Sequence, residues 1–391
     1  MLKPTSITEA RYRSGRYVSQ TTGYKSFIPN ILPPEPPIAV DDARLNEALS
    51  RADRALGRLD GSISTLPDPS LFLSMFARKE AVISSQIEGT QASLSDLVMT
   101  EANIFNKARP TDVNEVRNYM RAIRVGEEML NELPVSTRMI KALHRTLMHG
   151  VRGQHQTPGE IRTSQNWIGA PGCTLSEAAF VPPPAHEVMQ CLSDLEHFIH
   201  NIDDHIPVLI KAGLIHGQFE TIHPFLDGNG RVGRLLITLF LLEQEILTAP
   251  VLYLSYYFRK NQTEYYAKLQ AIRDTGDWEG WLTFFLNGVA EVSNLAAKTA
   301  RELLLLREEN RQMVLGEFSR SATMPLRMLD HLYSSPVTNL RLVATKLGVS
   351  APTANNIIAG LEKCGILREV TGQKRHRVFI HHEYMRKFDG L

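Results

Sequence analysis

Twelve residues, HPFLDGNGRVGR (223–234), separate two apolar stretches of helical character, LIKAGLIHGQFETI and LLITLFLLEQ. This arrangement commits the middle of the chain to a helix, a glycine-bearing loop and a second helix, expected at about 207–220 and 230–245. Pro224 follows the histidine and cannot continue the first helix. Gly228, Gly230 and Gly233 let the backbone approach a ligand closely, and the amides opening the second helix point at an anion. Arg231 and Arg234, three apart, fall on similar sides of that helix and are forked donors for phosphate oxygens. Asp227 is a hard oxygen ligand suited to Mg²⁺, which binds one or two carboxylates together with substrate phosphates. His223 exchanges a proton near neutral pH. A base, a magnesium carboxylate, an anion cradle and two arginines form a set for phosphoryl or nucleotidyl transfer. A helix-capping loop with a satisfied histidine would explain a lone His or a lone GNG. It does not explain every part arriving in twelve contiguous residues.

The rest of the sequence frames that segment. Its 391 residues predict two or three domains, and 43% hydrophobic content supplies real cores. Lys and Arg (43) nearly balance Asp and Glu (42), so no general polyanion-binding field exists and any nucleic-acid contact must come from a local patch. Three distant cysteines, Cys173, Cys191 and Cys364, make neither a disulfide framework nor a CxxC metal site, which favours a reducing cytoplasm. The first residues, MLKPTSITEARYRSGRY, lack the apolar core of a signal peptide, and no apolar run approaches the ~18 residues of a membrane span. The expected location is cytoplasmic, with no membrane partner.

Residues 1–40, ending in NILPPEPPIAVDD, read as an extended Pro-rich arm on the surface. Residues 41–110 read as an N-terminal helical region, with one helix ending at Gly61 and another over Phe72–Ile87. Helices follow at 112–130 and 136–149, then GQHQTPGEIRTSQNWIGAPGCTLSEAAFVPPP reads as a loop with a short hairpin. Further helices are expected at about 185–201, 262–274 and 278–287. Residues 111–288 form the expected catalytic domain, 289–318 a connector helix, and 319–391 a winged helix-turn-helix of three short helices and a hairpin. The expected fold class is all-α, with a small β-hairpin flap and the C-terminal winged helix.

HPFLDGNGRVGR resembles the full signature of the Fic family, HPFx[D/E]GNGRxxR, without departures. LIKAGLIHGQFETIHPF resembles the family's helix before the motif, PGEIRTSQNWIG and FVPPP its flap, and WEGWLTFFLNGV its closing helix. The resemblance covers roughly residues 25–290. It implies transfer of AMP from ATP to a Ser, Thr or Tyr hydroxyl of a target protein, or of the chain itself. His223 is then the general base and Asp227 holds Mg²⁺ on the α- and β-phosphates. Gly228, Asn229, Gly230 and Arg231 form the anion hole, Val232 and Gly233 complete the nucleotide-binding turn, and Arg234 receives the γ-phosphate. Residues 168–181 resemble the flap that docks the target by adding a strand. Tyr265 matches a position near the adenine. Fic relatives also use other nucleotide donors or transfer phosphate, and the intact GNGR with Asp227 favours the adenylyl group.

Upstream, ISSQIEGTQ fits the pattern [S/T]xxxE[G/N] of Fic proteins that carry an inhibitory helix N-terminal to the motif, the second class of the family. Ser84 and Glu88 share a helix face and Gly89 suits a helix end. By that likeness Glu88 competes with the γ-phosphate for Arg234. In some relatives the same glutamate supports removal of AMP. The bland alternative is an ordinary solvent-facing glutamate.

In the C-terminal module Ser350 caps the expected recognition helix, whose Thr353, Asn355 and Asn356 are candidates for DNA contact. The wing adds Lys374, Arg375 and Arg377, suited to phosphates. Dimerisation or target docking is the competing use of such a module. A DNA-binding regulator whose Fic domain senses nucleotide is therefore the rival to the enzyme. No HExxH, GxSxG or P-loop pattern appears, and His216 reads as a packed, hydrogen-bonded histidine.

Overall fold

A computed structural model of the chain describes residues 13–21, 23–39, 42–64, 69–102, 110–170, 172–202 and 205–389. Its centre is the pair predicted from the sequence: α7 (Val208–Ile222) and α8 (Asn229–Glu243), joined by the loop 223–228. Fourteen of the fifteen residues of α7, all but Val208, are buried, so this helix is buried all round rather than amphipathic. The helices that sheathe the pair are α1 (Ala43–Ser64), α2 (Pro69–Ile87), α3 (Leu94–Glu101), α4 (Pro110–Leu130), α5 (Thr137–Leu147) and α6 (Val188–His200) on the N-terminal side. On the C-terminal side lie α9 (Ser255–Lys260), α10 (Gln262–Thr275) and α11 (Trp278–Phe318). Trp278, Trp281, Phe284 and Phe285 of α11 are buried against this core.

Local chemistry explains most boundaries. Ser93 caps α3 in a reciprocal capping box with Asp96, and Ser136 caps α5. Asp277 caps α11 through the Gly280 N–H. His223 ends α7 in the left-handed region, at φ 50°.

The expected surface arm at 1–40 is corrected in part. Residues 1–12, 22 and 40 lie outside the described residues, but Gly15–Ser19 (β1) and Lys25–Pro29 (β2) pair as an antiparallel hairpin. Phe27 is fully buried, its N–H bonds the Val181 carbonyl, and Arg13 is bidentate to Glu279 at 2.7 and 2.8 Å. The alternation in GRYVS and KSFIP carries that strand signal, and the neighbouring prolines obscured it. The flap hairpin expected over 153–184 is reduced to a single antiparallel bridge, Ile168 with Phe180.

The connector is also corrected. Residues 278–318 form one unbroken helix of 41 residues, so a boundary at 288 would cut through it. Ala296, Ala297, Ala300 and Leu303 are buried, which makes most of the expected connector part of the core. Nothing in this stretch removes a backbone donor, so the helix has no reason to stop.

Beyond α11, the order is α12 (Thr323–Ser334), β3 (Val337–Asn339), α13 (Leu340–Leu347), α14 (Ala351–Lys363), β4 (Leu367–Glu369), β5 (Val378–His381) and α15 (His382–Asp389). The three strands form an antiparallel sheet in the order β3-β5-β4. α15 was not expected from the sequence. It returns to α2: Lys79 Nζ donates to the Phe388 carbonyl at 2.7 Å, and the Phe76 and Phe388 rings meet edge-on at 5.4 Å. Among the described residues, no helix is long and apolar enough to cross a membrane.

Candidate active site

A cavity of about 640 Å³ opens where α2, α8, α10 and the flap converge. His223 and Glu220 line it from the end of α7, Gly230 and Arg234 from the first turns of α8, and Glu88 from the end of α2. The flap contributes Ile168–Ala170 and Phe180.

His223 is held by its backbone. Its carbonyl accepts Arg162 Nε at 3.0 Å and Asn166 Nδ2 at 3.2 Å. Arg162 also reaches the Pro183 carbonyl at 2.6 Å, and Asn166 the Phe225 carbonyl at 2.7 Å, so the segment 162–183 and the loop 223–228 are one hydrogen-bonded unit. Burial, with the guanidiniums of Arg273 and Arg162, pushes the imidazole down to about 3. It is therefore neutral at physiological pH. Arg162, Asn166 and Arg273 escaped the sequence reading because their roles depend on the fold; PGEIRTSQNW was the signal available.

Asn229 stiffens the loop: its Oδ1 accepts the Phe225 N–H at 2.8 Å and its Nδ2 donates to the Phe225 carbonyl at 2.8 Å. Gly228 is the left-handed residue before α8, and Val232 and Gly233 are buried in the helix. His144 stacks on Phe225 at 3.7 Å. Its Nδ1 accepts the Gly159 N–H, which leaves Nε2–H to donate to the Asp227 carbonyl at 3.0 Å.

The two arginines separate. Arg234 turns to α2: Nε donates to Ser84 Oγ at 2.8 Å, and Nη2 donates to the Ser84 carbonyl at 3.0 Å and to Glu88 Oε1 at 2.7 Å. Burial alone would raise the Glu88 carboxyl, but the Arg234 guanidinium outweighs it and holds it below the usual range. A Cβ on Gly230 would meet Glu88 Oε1 and Arg234 Nη1, so in this pose the carboxylate rests directly over the glycine at the helix start. Gly89 (φ 92°) ends the segment, and Arg152 donates to the Glu88 carbonyl at 3.1 Å. Tyr119 donates to Glu80 on the same helix at 3.0 Å, extending the buried polar row behind Ser84.

Arg231 instead faces α4 and α5. Its Nη2 contacts Met148 Sδ at 3.3 Å and its Nη1 lies 3.6 Å from Glu115 Oε2. Its Nε and Nη1 have no hydrogen-bond partner although the residue is buried. Those unspent donors fit an anion, and Asp227 beside them is a hard oxygen ligand, so the residues present suit a Mg²⁺–phosphate group. Asp227 Oδ1 accepts the Gly228 N–H at 2.6 Å. Among the described residues no cluster of three His, Cys, Asp or Glu could hold a metal on protein ligands alone. Neither Asp227 nor Arg231 lines the cavity, so the similar-side expectation for the arginines holds only loosely.

Tyr265 lines the cavity but is fully buried. Its hydroxyl bonds His216 Nε2 at 2.8 Å and its ring stacks on Phe258 at 4.5 Å, while its neighbour Tyr266 is half-exposed at the opening. His216 is packed as expected, with its Nδ1 bonded to the Gly233 carbonyl at 3.0 Å. In the C-terminal module, Thr353, Asn355 and Asn356 are exposed on α14, and Lys374, Arg375 and Arg377 are exposed between β4 and β5. Arg377 is partly spent, pairing with Glu362 at 3.0 Å and stacking on Phe379.

The chain carries two family segments: the Fic/DOC family N-terminal model matches residues 46–128, and the Fic/DOC family model matches residues 134–241. A probable protein adenylyltransferase of Aquifex aeolicus is 30% identical over 185 residues, covering 45% of this chain and 51% of that protein. The chain thus spans about half the length of that curated relative. Among solved structures, a Fic family protein from Desulfovibrio desulfuricans G20 superposes with a TM-score of 0.56 at 19% identity, covering 87% of this chain and 96% of the other. Fic-1 of Caenorhabditis elegans superposes at 0.53 with 22% identity, covering 67% and 74%. At these identities the structural likeness speaks for the fold.

Proposed function

We propose that this chain, which carries the Fic/DOC family's N-terminal and Fic domains, is a self-inhibited protein adenylyltransferase. The relative named as a probable protein adenylyltransferase supports the reaction. The observation that carries the self-inhibition is the 2.7 Å pair between Glu88 and Arg234 in the cavity that His223 also lines.

In the reaction, His223 Nε2 takes the proton of a Ser, Thr or Tyr hydroxyl on a target chain docked along 168–181. The hydroxyl oxygen bonds to the α-phosphorus of ATP, the bond to the β-phosphate breaks, and pyrophosphate leaves. Arg231, with its unspent donors, takes β-phosphate oxygens, and Arg234 takes the γ-phosphate. Asp227 is the residue that would hold Mg²⁺, which when bound neutralises charge on the phosphate chain. While Glu88 occupies Arg234, the γ-phosphate lacks its seat and ATP lies unproductively. Tyr266, rather than the buried Tyr265, presents a ring to the base.

The C-terminal order of helix, strand, two helices and two strands supports the winged-helix reading, with DNA as its partner through α14 and the loop before β5. Salt-dependent binding to a specific duplex, with regulation left intact by His223→Ala, would favour a regulator over an enzyme.

The test uses α-³²P-ATP with Mg²⁺ and lysate of the source cell. Label entering proteins with Glu88→Gly, and not with wild type or Glu88→Gly/His223→Ala, is the expected result. Equal labelling by wild type and Glu88→Gly would sink the inhibition.

A further inference from the structure

Burial and two guanidiniums make His223 a poor proton acceptor, yet the proposed transfer requires it to accept one. A base in that setting needs a negative partner. Glu220 stands one turn earlier on α7, with Oε2 3.9 Å from His223 Nδ1. His223 Nδ1 and Glu220 Oε1 are both enclosed, and neither has a hydrogen-bond partner. Enclosed polar atoms are ordinarily satisfied, so two such atoms on neighbouring side chains call for an explanation, although the unsatisfied Oε1 is turned toward Gly233 and the Glu220 backbone also favours the protonated imidazole. The carboxyl is also confined: a Cβ on Gly233 would lie 2.6 Å from Glu220 Oε1, so α8 passes against it at glycine distance. The His223 backbone is fixed from the other side by Arg162 and Asn166.

We propose that Glu220 is the positioning residue of His223: its carboxylate accepts the Nδ1–H, leaves Nε2 as the free base, and supplies the countercharge when Nε2 takes the hydroxyl proton. The inference rests on the adenylyl-transfer reading. A side-chain shift of about 1 Å converts the separation into a hydrogen bond. The hydroxyl proton ends on Nε2, the Nδ1 proton stays on the imidazole, and the electron pair of the broken phosphorus–oxygen bond leaves with pyrophosphate.

The surroundings make the pair sensitive to pH. Arg234 from α8 and Arg273 from α10 favour the carboxylate, Glu88 from α2 opposes it, and Arg162 faces the imidazole from the flap base. Tyr265 and His216 adjoin in their neutral forms. Burial outweighs the two guanidiniums and raises the Glu220 carboxyl to about 7. Below that pH the carboxyl is protonated and no longer accepts the Nδ1–H, so the productive tautomer is lost.

The test is a titration of the full chain carrying ¹⁵N-histidine between pH 5.5 and 9, with the His223 signals identified by their loss in His223→Ala. An Nδ1–H tautomer with an inflection near pH 7 is expected in wild type, and the inflection disappears in Glu220→Gln. In the Glu88→Gly background, Glu220→Gln lowers label transfer ~10- to 100-fold, leaves the ATP KM within about twofold and removes the acid limb near pH 7. Flat His223 resonances in wild type, or the same inflection in Glu220→Gln, overturn the pair. An intact inflection with no transfer by Glu88→Gly overturns the adenylyl-transfer reading and leaves the pair standing.

Discussion

Arg234 and Arg231 sit three residues apart at the start of one helix and live in opposite conditions. Arg234 spends its donors on Ser84 and Glu88, whereas Arg231 keeps two buried donors unspent beside Asp227. The chain has filled one anion seat with its own carboxylate and left the neighbouring one open. Under the proposed adenylyl transfer, such a contact would act as a brake without blocking the whole site, by removing a single phosphate contact and leaving the others to hold the nucleotide unproductively.

The largest expected effect tests whether both seats serve one base. His223→Ala, placed in the Glu88→Gly background, should lower α-³²P transfer by about 10²- to 10⁴-fold, the range of general base catalysis. Next comes the contrast itself. Glu88→Gly should raise transfer ~10- to 100-fold, because a charge-assisted hydrogen bond contributes about 1.5–3 kcal/mol. Glu115→Gln, on the Arg231 side, should change transfer less than about twofold. A comparable rise in Glu115→Gln would break the contrast. Ser84→Ala, which removes one neutral acceptor from Arg234, should release the brake by about 2- to 10-fold in the same assay. The smallest effect is thermal: saturating ATP with Mg²⁺ should raise the melting temperature of Glu88→Gly by a few degrees and that of wild type by less, since stabilisation follows occupancy over Kd. Equal shifts would show that Glu88 leaves nucleotide affinity untouched.

Where the candidate site is built from adjacent residues, its placement could be read from the sequence. His223, Asp227, the glycines and both arginines are contiguous, and the helix–loop–helix around them follows from apolar periodicity and Pro224. Glu88 was legible because Ser84 lies one turn before it and Gly89 one residue after. Residues acting across the fold were not legible: Arg162 and Asn166 matter through the His223 carbonyl, a group no sequence pattern marks. Glu220 lay within reach of the same helical-spacing reasoning, since it stands three residues before His223 as Ser84 stands four before Glu88. Tyr265 lines the cavity as a buried ring, and position in the EYY segment alone does not tell it from the half-exposed Tyr266 that lines the cavity beside it. The hairpin at 15–29 was hidden by its proline-rich flank, and the 41-residue helix by an assumed joint where no residue breaks it.

That undivided helix is a rod shared by the two halves of the chain. At 1.5 Å per residue its 41 residues run about 60 Å, with no proline to act as a hinge. One end is gripped by the aromatic cluster beneath the cavity, and the other by Asn310 bonded to Tyr333 in the C-terminal module. A tilt of about 5° would displace the far end of a free rod of that length by about 5 Å. This rod is not free: Ala296, Ala297, Ala300 and Leu303 are buried, and the C-terminal module also rests on α2 through Lys79 and the Phe76–Phe388 contact, so it is braced against such a tilt at a second point.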